Sequence, residues 1–351
     1  MLDYSKIINR KWVKTVFLLF GLAAALIVVL SSMAYGVARW YQVMQAGKPY
    51  ELGVTFVPEY ARQLGVDPVE TFTAILDDLN VRQLRLVSYW KSIEAEQGKY
   101  NFTELDWQFK EAENRGIKIS LAVGLRQPRW PECHAPKWVD TAKHRESWQP
   151  ALEKYMTAVI NRYKNSPSLS SYQLENEFFN SFGSCKNFDR ERLADELALI
   201  HHLDPKHPVI ISRSNNYAGF AVRPPRGDIN GISLYRKTWD QTVTKDYFDY
   251  PFPSWHYAFL AGMQKIIAGQ ESIIHELQAE PWPPSGKFVT HLSLAEQDET
   301  LDAKRLKANV EFAKQTGIRH IDLWGAEYWY YRKTILHDDS VWQQAVKIFQ
   351  G

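Results

Sequence analysis

The sequence predicts a (β/α)8 TIM barrel preceded by a single N-terminal transmembrane helix. Eight short apolar segments alternate with amphipathic helical segments over about three hundred residues, which matches the size and order of that fold. The main alternative is a doubly wound open sheet, which normally carries a glycine-rich turn after its first strand. No such turn follows the first apolar segment in residues 52–60, so the barrel is the better prediction.

The predicted strands are short apolar runs, each separated from the next by a helix or a loop. They cover residues 52–57, 83–88, 117–123, 170–177, 209–212, 231–234, 272–276 and 318–324. Helices with one apolar face are predicted between and after them. These cover residues 68–79, 103–114, 148–163, 189–201, 257–267, 301–314 and 341–349.

The N-terminal region contains an uncharged run over residues 15–38, which exceeds the ~20 residues that a helix needs to cross a bilayer. The basic residues Lys6, Arg10, Lys11 and Lys14 precede it, whereas Arg39 and Lys48 follow it. This bias predicts a cytoplasmic N-terminus and an extracytoplasmic remainder. A cleaved signal peptide is the alternative, but its apolar region is usually ~7–15 residues long.

The predicted domain organisation follows from this run. Residues 1–14 form a basic cytoplasmic tail, 15–38 an uncleaved membrane anchor, 39–50 a tether and 51–351 the barrel. The expected location is therefore the cell membrane, with a single pass and the barrel outside. The two cysteines, Cys133 and Cys185, both fall in loops of the exported part, where an oxidising compartment permits a disulfide between them.

Composition narrows the functional class. The net charge is +2, and no basic block follows the N-terminus, so nucleic-acid binding is not expected. Aromatic residues make up 14% of the chain, with 13 Trp. Core packing explains many of these rings, but several lie in proline-rich loops where they could stack on sugars. Trp90 and Trp282 are candidates, and Trp282 lies among Pro281, Pro283 and Pro284.

The strand ends carry the candidate chemistry, because the C-terminal ends of barrel strands point to one rim. Carboxyl and other polar or aromatic side chains lie at these ends: Arg85, Asn176, Glu177, Tyr235, Glu276, Gln278 and Trp324. No His/Cys grouping has metal-ligand spacing, and no glycine-rich loop suggests phosphate binding. We therefore expect neither a metal nor a cofactor. Two carboxylates are the smallest set of side chains with which an enzyme cleaves a glycosidic bond.

The segment Gln173-Leu174-Glu175-Asn176-Glu177 resembles the fourth-strand signature of the clan A retaining glycoside hydrolases, which include cellulases, mannanases and β-galactosidases. The resemblance implies that Glu177 is the acid/base and that Asn176 contacts the sugar 2-hydroxyl. In the same way residues 274–278 resemble the seventh strand, which implies that Glu276 is the nucleophile. Residues 86–102 and 322–327 resemble the stretch after strand two and the eighth strand, where Trp324 would form the floor of the sugar site.

Two assignments have competitors. Glu280 lies four residues after Glu276 and could be the nucleophile if the strand were longer, although Pro281 makes its surroundings loop-like. Glu175 competes with Glu177 because alternating residues share a strand face, and only the Asn-Glu order favours Glu177.

The predicted function is that of a retaining glycoside hydrolase acting on an extracellular oligo- or polysaccharide. Arg85 and Tyr235 are expected to hold the nucleophile ionised. A transglycosylase using the same site is one alternative, and a catalytically dead, membrane-tethered carbohydrate-binding barrel is another.

Overall fold

The computed structural model describes residues 10–185, 187–214 and 224–350. Eight parallel strands close into a barrel. They are β1 (Glu51–Phe56), β2 (Gln83–Val87), β3 (Lys118–Val123), β4 (Leu169–Leu174), β5 (Val209–Arg213), β6 (Ile229–Leu234), β9 (Glu271–Gln278) and β10 (His320–Trp324). Their order around the barrel is β1-β10-β9-β6-β5-β4-β3-β2. Strands β1 and β10 pair from Glu51 with His320 onward, which closes the cylinder. The predicted fold class is confirmed.

Between β6 and β9 the chain forms an antiparallel hairpin, in a stretch where no strand was predicted. Its strands are β7 (Lys237–Asp240) and β8 (Asp246–Asp249). Asp240 accepts backbone hydrogen bonds from Thr242, Val243 and Thr244, which closes the turn. No apolar alternation marks these short strands, so the pattern of the sequence did not reveal them.

Helices surround the barrel and separate its strands. They are α1 (Arg10–Gln45), α2 (Pro58–Leu64), α3 (Pro68–Asp78), α4 (Trp90–Ile93), α5 (Thr103–Asn114), α6 (Gln149–Tyr163), α7 (Arg190–Leu203), α8 (Ser254–Ala268), α9 (Leu294–Asp298), α10 (Ala303–Gln315), α11 (Ala326–Thr334) and α12 (Ser340–Gln350). All seven predicted helices are present. Helices α2, α4, α9 and α11 were not predicted.

The fourth strand is shorter than predicted. It ends at Leu174, three residues before Glu177. Glu175 and Glu177 adopt left-handed backbone conformations, with φ of 55° and 43°, which a β-strand cannot accommodate. The chain therefore turns sharply where the polar residues begin.

The segments that follow the C-terminal ends of the barrel strands form one end of the molecule, which we call the rim. Its long segments are residues 88–102, 124–144, 175–185, 235–253 and 279–302. All predicted site residues lie in these segments or in the strands that lead to them. The barrel interior beneath is partly polar, because Arg85, Gln173, His275 and Asp322 are all buried there.

Helix α1 is continuous from the apolar run to the barrel. Within the described residues it is the one helix long and apolar enough to cross a membrane, over Thr15–Gln45. The tether predicted at residues 39–50 is helical as far as Gln45. Ala38, Tyr41 and Gln45 are buried, since this end of the helix packs on the barrel surface and is not a free linker.

Candidate active site

The two predicted carboxylates come from separate strands of the barrel and interact electrostatically. Glu177 follows β4 and Glu276 lies near the end of β9, and their exposed fractions are only 5% and 4%. The irregular pairing of β6 with β9, between Ile232 and Ser233, shifts the register next to Glu276. The structure thus brings together two residues that are a hundred positions apart in the sequence.

Glu276 is held by two donors. Arg85 donates from Nη1 to its Oε1 over 2.8 Å, and the Tyr235 hydroxyl donates to its Oε2 over 2.7 Å. Arg85 is fully buried, so its charge is poorly screened by water where it contacts the carboxyl. The arrangement leaves Glu276 as an anchored carboxylate at the end of its strand.

Glu177 has the opposite electrostatic environment. Burial raises the pKa of its carboxyl to about 8, and the charge of Glu276 contributes to the rise. Its backbone N–H donates to the Ser212 hydroxyl over 3.0 Å, which fixes the turn after β4. The Glu177 carboxyl is therefore mostly protonated at neutral pH.

Arg85 connects the residues of the site. Its guanidinium donates to Gln173 Oε1 over 2.6 Å and to Asn176 Oδ1 over 2.8 Å, as well as to Glu276. The planar fork of arginine suits such a fixed set of acceptors. The position of Glu276 is thereby coupled to the polar residues that end β4.

The amide of Asn176 has a partner that sequence reasoning missed. Its Nδ2 donates to Glu132 Oε2 over 2.8 Å. Glu132 lies in the rim segment after β3 and is 7% exposed, and burial raises its pKa well above the ordinary value, with Glu276 and Glu177 adding to the effect. No sequence motif marks Glu132, because its segment reaches the site through loop conformation alone.

The disulfide between Cys133 and Cys185 is present, so its prediction is confirmed. It joins the rim segments after β3 and β4, with 5.0 Å between the two Cα atoms. Glu132 is adjacent to Cys133 in the chain, and a Cβ at Gly183 would approach the Glu132 Cβ to 2.8 Å. The bridge thus stabilises the loop that carries the third carboxyl.

Glu175, the competitor of Glu177, is turned away into a structural cluster. Its carboxylate accepts from both Arg192 terminal nitrogens, over 3.0 and 3.1 Å, and from the backbone N–H of Leu125 over 2.5 Å. It is completely buried. The left-handed turn after Leu174 separates residues that an extended strand would have placed on one face.

Glu280, the competitor of Glu276, belongs to a second cluster on the rim. Its carboxylate accepts from Arg129 and from the Trp324 indole N–H, the latter over 2.8 Å. Arg129 also reaches Glu327 over 3.5 Å, and burial raises the pKa of Glu327 to about 7. Arg129 and the ring of Trp324 stack with 4.2 Å between the guanidinium carbon and the ring centre.

The other predicted binding residues divide into two groups. Trp282 is 36% exposed, and its ring meets the Tyr235 ring edge to face with 5.1 Å between centres, which places Trp282 beside the residue that holds Glu276. Trp90 is fully buried against Tyr155 and donates to Glu94, which leaves no ring face for a sugar. Gln278 bonds with both of its amide atoms to the backbone of Arg236 and Lys237 and braces the start of the hairpin.

Among the described residues, no group of three or more His, Cys, Asp or Glu side chains is placed to hold a metal ion.

Comparisons with known proteins find similarity to glycoside hydrolases. Residues 69–192 match the sequence profile of a beta-galactosidase family, glycoside hydrolase family 42. This segment includes Glu177 and ends before Glu276. The chain is also 23% identical over 156 residues to endo-1,4-beta-xylanase 3 of Hypocrea jecorina, covering 43% of this chain and 42% of that enzyme. The match thus spans less than half of the curated relative.

Solved structures with the same fold include an endo-glycoceramidase II from Rhodococcus sp., with a TM-score of 0.52, 14% identity and coverage of 79% of this chain and 73% of that one. An exo-beta-1,4-mannosidase from Opitutaceae bacterium strain TAV5 has a TM-score of 0.57 and 14% identity over 78% and 51%. Xylanase 10B from Thermotoga maritima has a TM-score of 0.53 and 15% identity over 79% and 83%. At these identities the likeness concerns the barrel fold.

Proposed function

We propose that this protein is a retaining glycoside hydrolase in which Glu276 is the nucleophile and Glu177 is the general acid/base. The observation that carries the proposal is the pair of buried carboxyls with opposed environments. Glu276 is held by Arg85 and Tyr235, whereas burial and Glu276 raise the pKa of Glu177 to about 8. Two neighbouring carboxyls in such different environments are typical of sites where one acts as the acid and the other as the nucleophile.

In the proposed reaction, a carboxylate oxygen of Glu276 attacks the anomeric carbon of the bound sugar. The bond to the leaving oxygen breaks, and Glu177 transfers its proton to that oxygen. Glu177, now ionised, accepts a proton from water as the water oxygen attacks the glycosyl–Glu276 ester. Both carboxyls return to their initial state, and two inversions leave the anomeric configuration retained.

The remaining site residues position the reacting groups in this proposal. Arg85 and the Tyr235 hydroxyl orient Glu276, while Trp324 and Trp282 offer apolar faces to the sugar ring. The Asn176 amide nitrogen carries two N–H donors, and Glu132 accepts from one of them, so the other can donate to the sugar 2-hydroxyl. Transglycosylation needs the same acids and differs only in the acceptor, whereas a binding-only barrel has no need of this acid pair.

We further propose that α1 anchors the barrel in a membrane, with residues 1–14 cytoplasmic and the barrel outside. The apolar part of the helix supports anchoring because its side chains are exposed; Phe17, for example, is 72% exposed. A helix from the core of a soluble protein would bury such residues. Its continuation as one helix into the packed residues Ala38 and Tyr41 supports retention of the anchor.

The nucleophile is tested by Glu276→Gly in the full chain, assayed on a panel of aryl glycosides. We expect turnover to fall by about 10⁴-fold or more, as for other covalent nucleophiles. Added azide should restore part of the activity and yield a glycosyl azide of inverted configuration, because it occupies the space vacated by the carboxylate.

The matched control is Glu280→Gly, which removes the neighbouring carboxyl that binds Arg129 and Trp324. Azide should not rescue this variant. Near-normal turnover by Glu276→Gly would contradict the assignment, and azide rescue of Glu280→Gly alone would transfer the role of nucleophile to Glu280.

A further inference from the structure

Helix α1 lies alongside α8 and runs in the same direction. The ring of Tyr35 packs on Trp255, with 5.9 Å between ring centres. Further along, Gly262 lies so close to α1 that a Cβ there would be 2.9 Å from Val37 Cγ1. Gln45, at the end of α1, donates to Glu271 over 3.4 Å. The contacts advance along both segments in the same order, so the two helices are parallel.

The direction of α8 relative to the barrel is set by its connections. It follows the rim segment 235–253 and leads to the start of β9, so it runs from the rim to the opposite end of the barrel. Because α1 is parallel to α8, Tyr35 lies near the rim and Gln45 near the opposite end. The apolar run before Tyr35 therefore projects past the rim, at the end of the barrel where Glu177 and Glu276 lie.

The projecting part has the length of a membrane span. Residues 15–34 form twenty residues of continuous helix, or about 30 Å at 1.5 Å per residue, which is the thickness of the hydrocarbon core of a bilayer. The bilayer would thus begin close to Tyr35. No flexible linker separates it from the barrel, since Gln42 also donates to the Gln315 carbonyl over 2.8 Å.

The surface of the rim is suited to such a position. Among the described residues of 51–350, all exposed aromatic rings and two of the exposed large aliphatic side chains lie in rim segments: Tyr100, Trp130, Val243, Phe248, Phe252, Trp282 and Leu294. The other exposed aliphatic residues are Val69, Ile266, Ile267 and Ile335. Aromatic side chains are favoured at the boundary between headgroups and water.

We infer that the rim, where the proposed catalytic carboxyls lie, faces the bilayer and that the substrate is a glycoside whose aglycone is embedded in that membrane. The orientation of the rim is argued from the packing of α1, whereas the substrate class rests on the proposed function. A sugar displayed on a lipid is concentrated in the layer next to the headgroups, where the rim is held. A soluble polymer must instead enter between the rim and the bilayer.

The orientation is tested with the full chain in lipid nanodiscs, using one introduced thiol at a time. Both native cysteines are joined in the disulfide, so Val243→Cys on the rim and Ile335→Cys away from it can be labelled selectively with a fluorophore. Lipids that carry a quencher near the headgroup should quench the label at position 243 at least several-fold more than the label at 335. Equal quenching, or stronger quenching at 335, would overturn the inference whatever the activity.

The substrate class is tested with the sugar that the aryl-glycoside panel identifies, attached to a dialkylglycerol lipid. Hydrolysis should be roughly 10-fold or more faster when this lipid shares the nanodisc of the enzyme than when it is in separate discs, because co-anchoring raises its effective concentration. Val243→Asp should lower this ratio, whereas Ile266→Asp, on the part of α8 remote from the rim, should leave it unchanged.

The outcomes distinguish the proposed function from the proposed membrane-borne substrate. Failure to cleave any aryl glycoside would contradict the proposed function, and with it the substrate class. The quenching result would still test the orientation of the rim. Cleavage of the soluble glycoside with no preference for the shared disc would overturn the membrane-borne substrate alone.

Discussion

Glu175 and Glu177 lie two residues apart after the same strand, and both are almost completely buried. Glu175 is paired with Arg192 through two hydrogen bonds and accepts a backbone N–H as well. Glu177 faces Glu276, and its pKa is raised to about 8. Burial alone therefore does not distinguish a structural carboxylate from a reactive one; the charge of the nearest partner does.

Of these two neighbouring carboxyls, Glu177 should have the larger effect on activity when it is removed. Glu177→Ala is expected to lower kcat/KM by about 10²–10⁴-fold for glycosides with poor leaving groups, the usual contribution of general acid catalysis. Aryl glycosides whose leaving group needs no proton, such as dinitrophenyl glycosides, should lose much less. A series of aryl glycosides of graded leaving-group pKa measures this dependence, and a uniform loss across the series would argue against the acid role.

The equivalent change at the neighbouring residue should affect stability instead. Glu175→Gln leaves the buried Arg192 without its bidentate partner, and breaking such a pair costs about 3–5 kcal/mol. Glu196 remains beside Arg192, so we expect the lower end of that range. Urea denaturation of the full chain in detergent, followed by Trp fluorescence, measures the loss. A dependence on the leaving group in this variant would mean that the two roles had been exchanged.

The pH profile provides a smaller and graded effect. Glu177 has to carry a proton to act as the acid, and burial raises its pKa to about 8, so kcat/KM should level off about one pH unit below 8 and fall about tenfold per pH unit well above it. The alkaline limb should disappear in Glu177→Ala. It should persist in Glu280→Gln, where the proposed acid is untouched. A limb that survived in Glu177→Ala would have to come from another group.

The smallest effect is expected at Glu132. Glu132→Gln keeps an oxygen to accept the Asn176 amide, so activity should change by less than about tenfold. Glu132→Ala leaves that buried donor unpaired, at a cost of about 1–3 kcal/mol. Comparison of kcat and KM for the two variants shows whether Glu132 acts by positioning Asn176. Equal losses in both would indicate that its charge matters instead.

Much of the fold and part of the candidate site could be predicted because they depend on local patterns. Short apolar runs form strands, and amphipathic runs form the helices that cover them, whatever their partners. The barrel, its seven predicted helices and the disulfide between Cys133 and Cys185 were accessible in this way. The acid residues could be named as candidates because strand ends in a barrel converge.

Only the tertiary structure separated Glu175 from Glu177, since the left-handed turn after Leu174 breaks the alternation on which strand faces are predicted. It also brought Glu132 and Arg129 to the rim through loop conformations that carry no periodic signal. The direction of α1 was equally inaccessible from sequence, because a hydrophobic run specifies its length and not the side of the barrel on which it packs. Contacts between distant parts of the chain, such as Tyr35 with Trp255, decide that orientation.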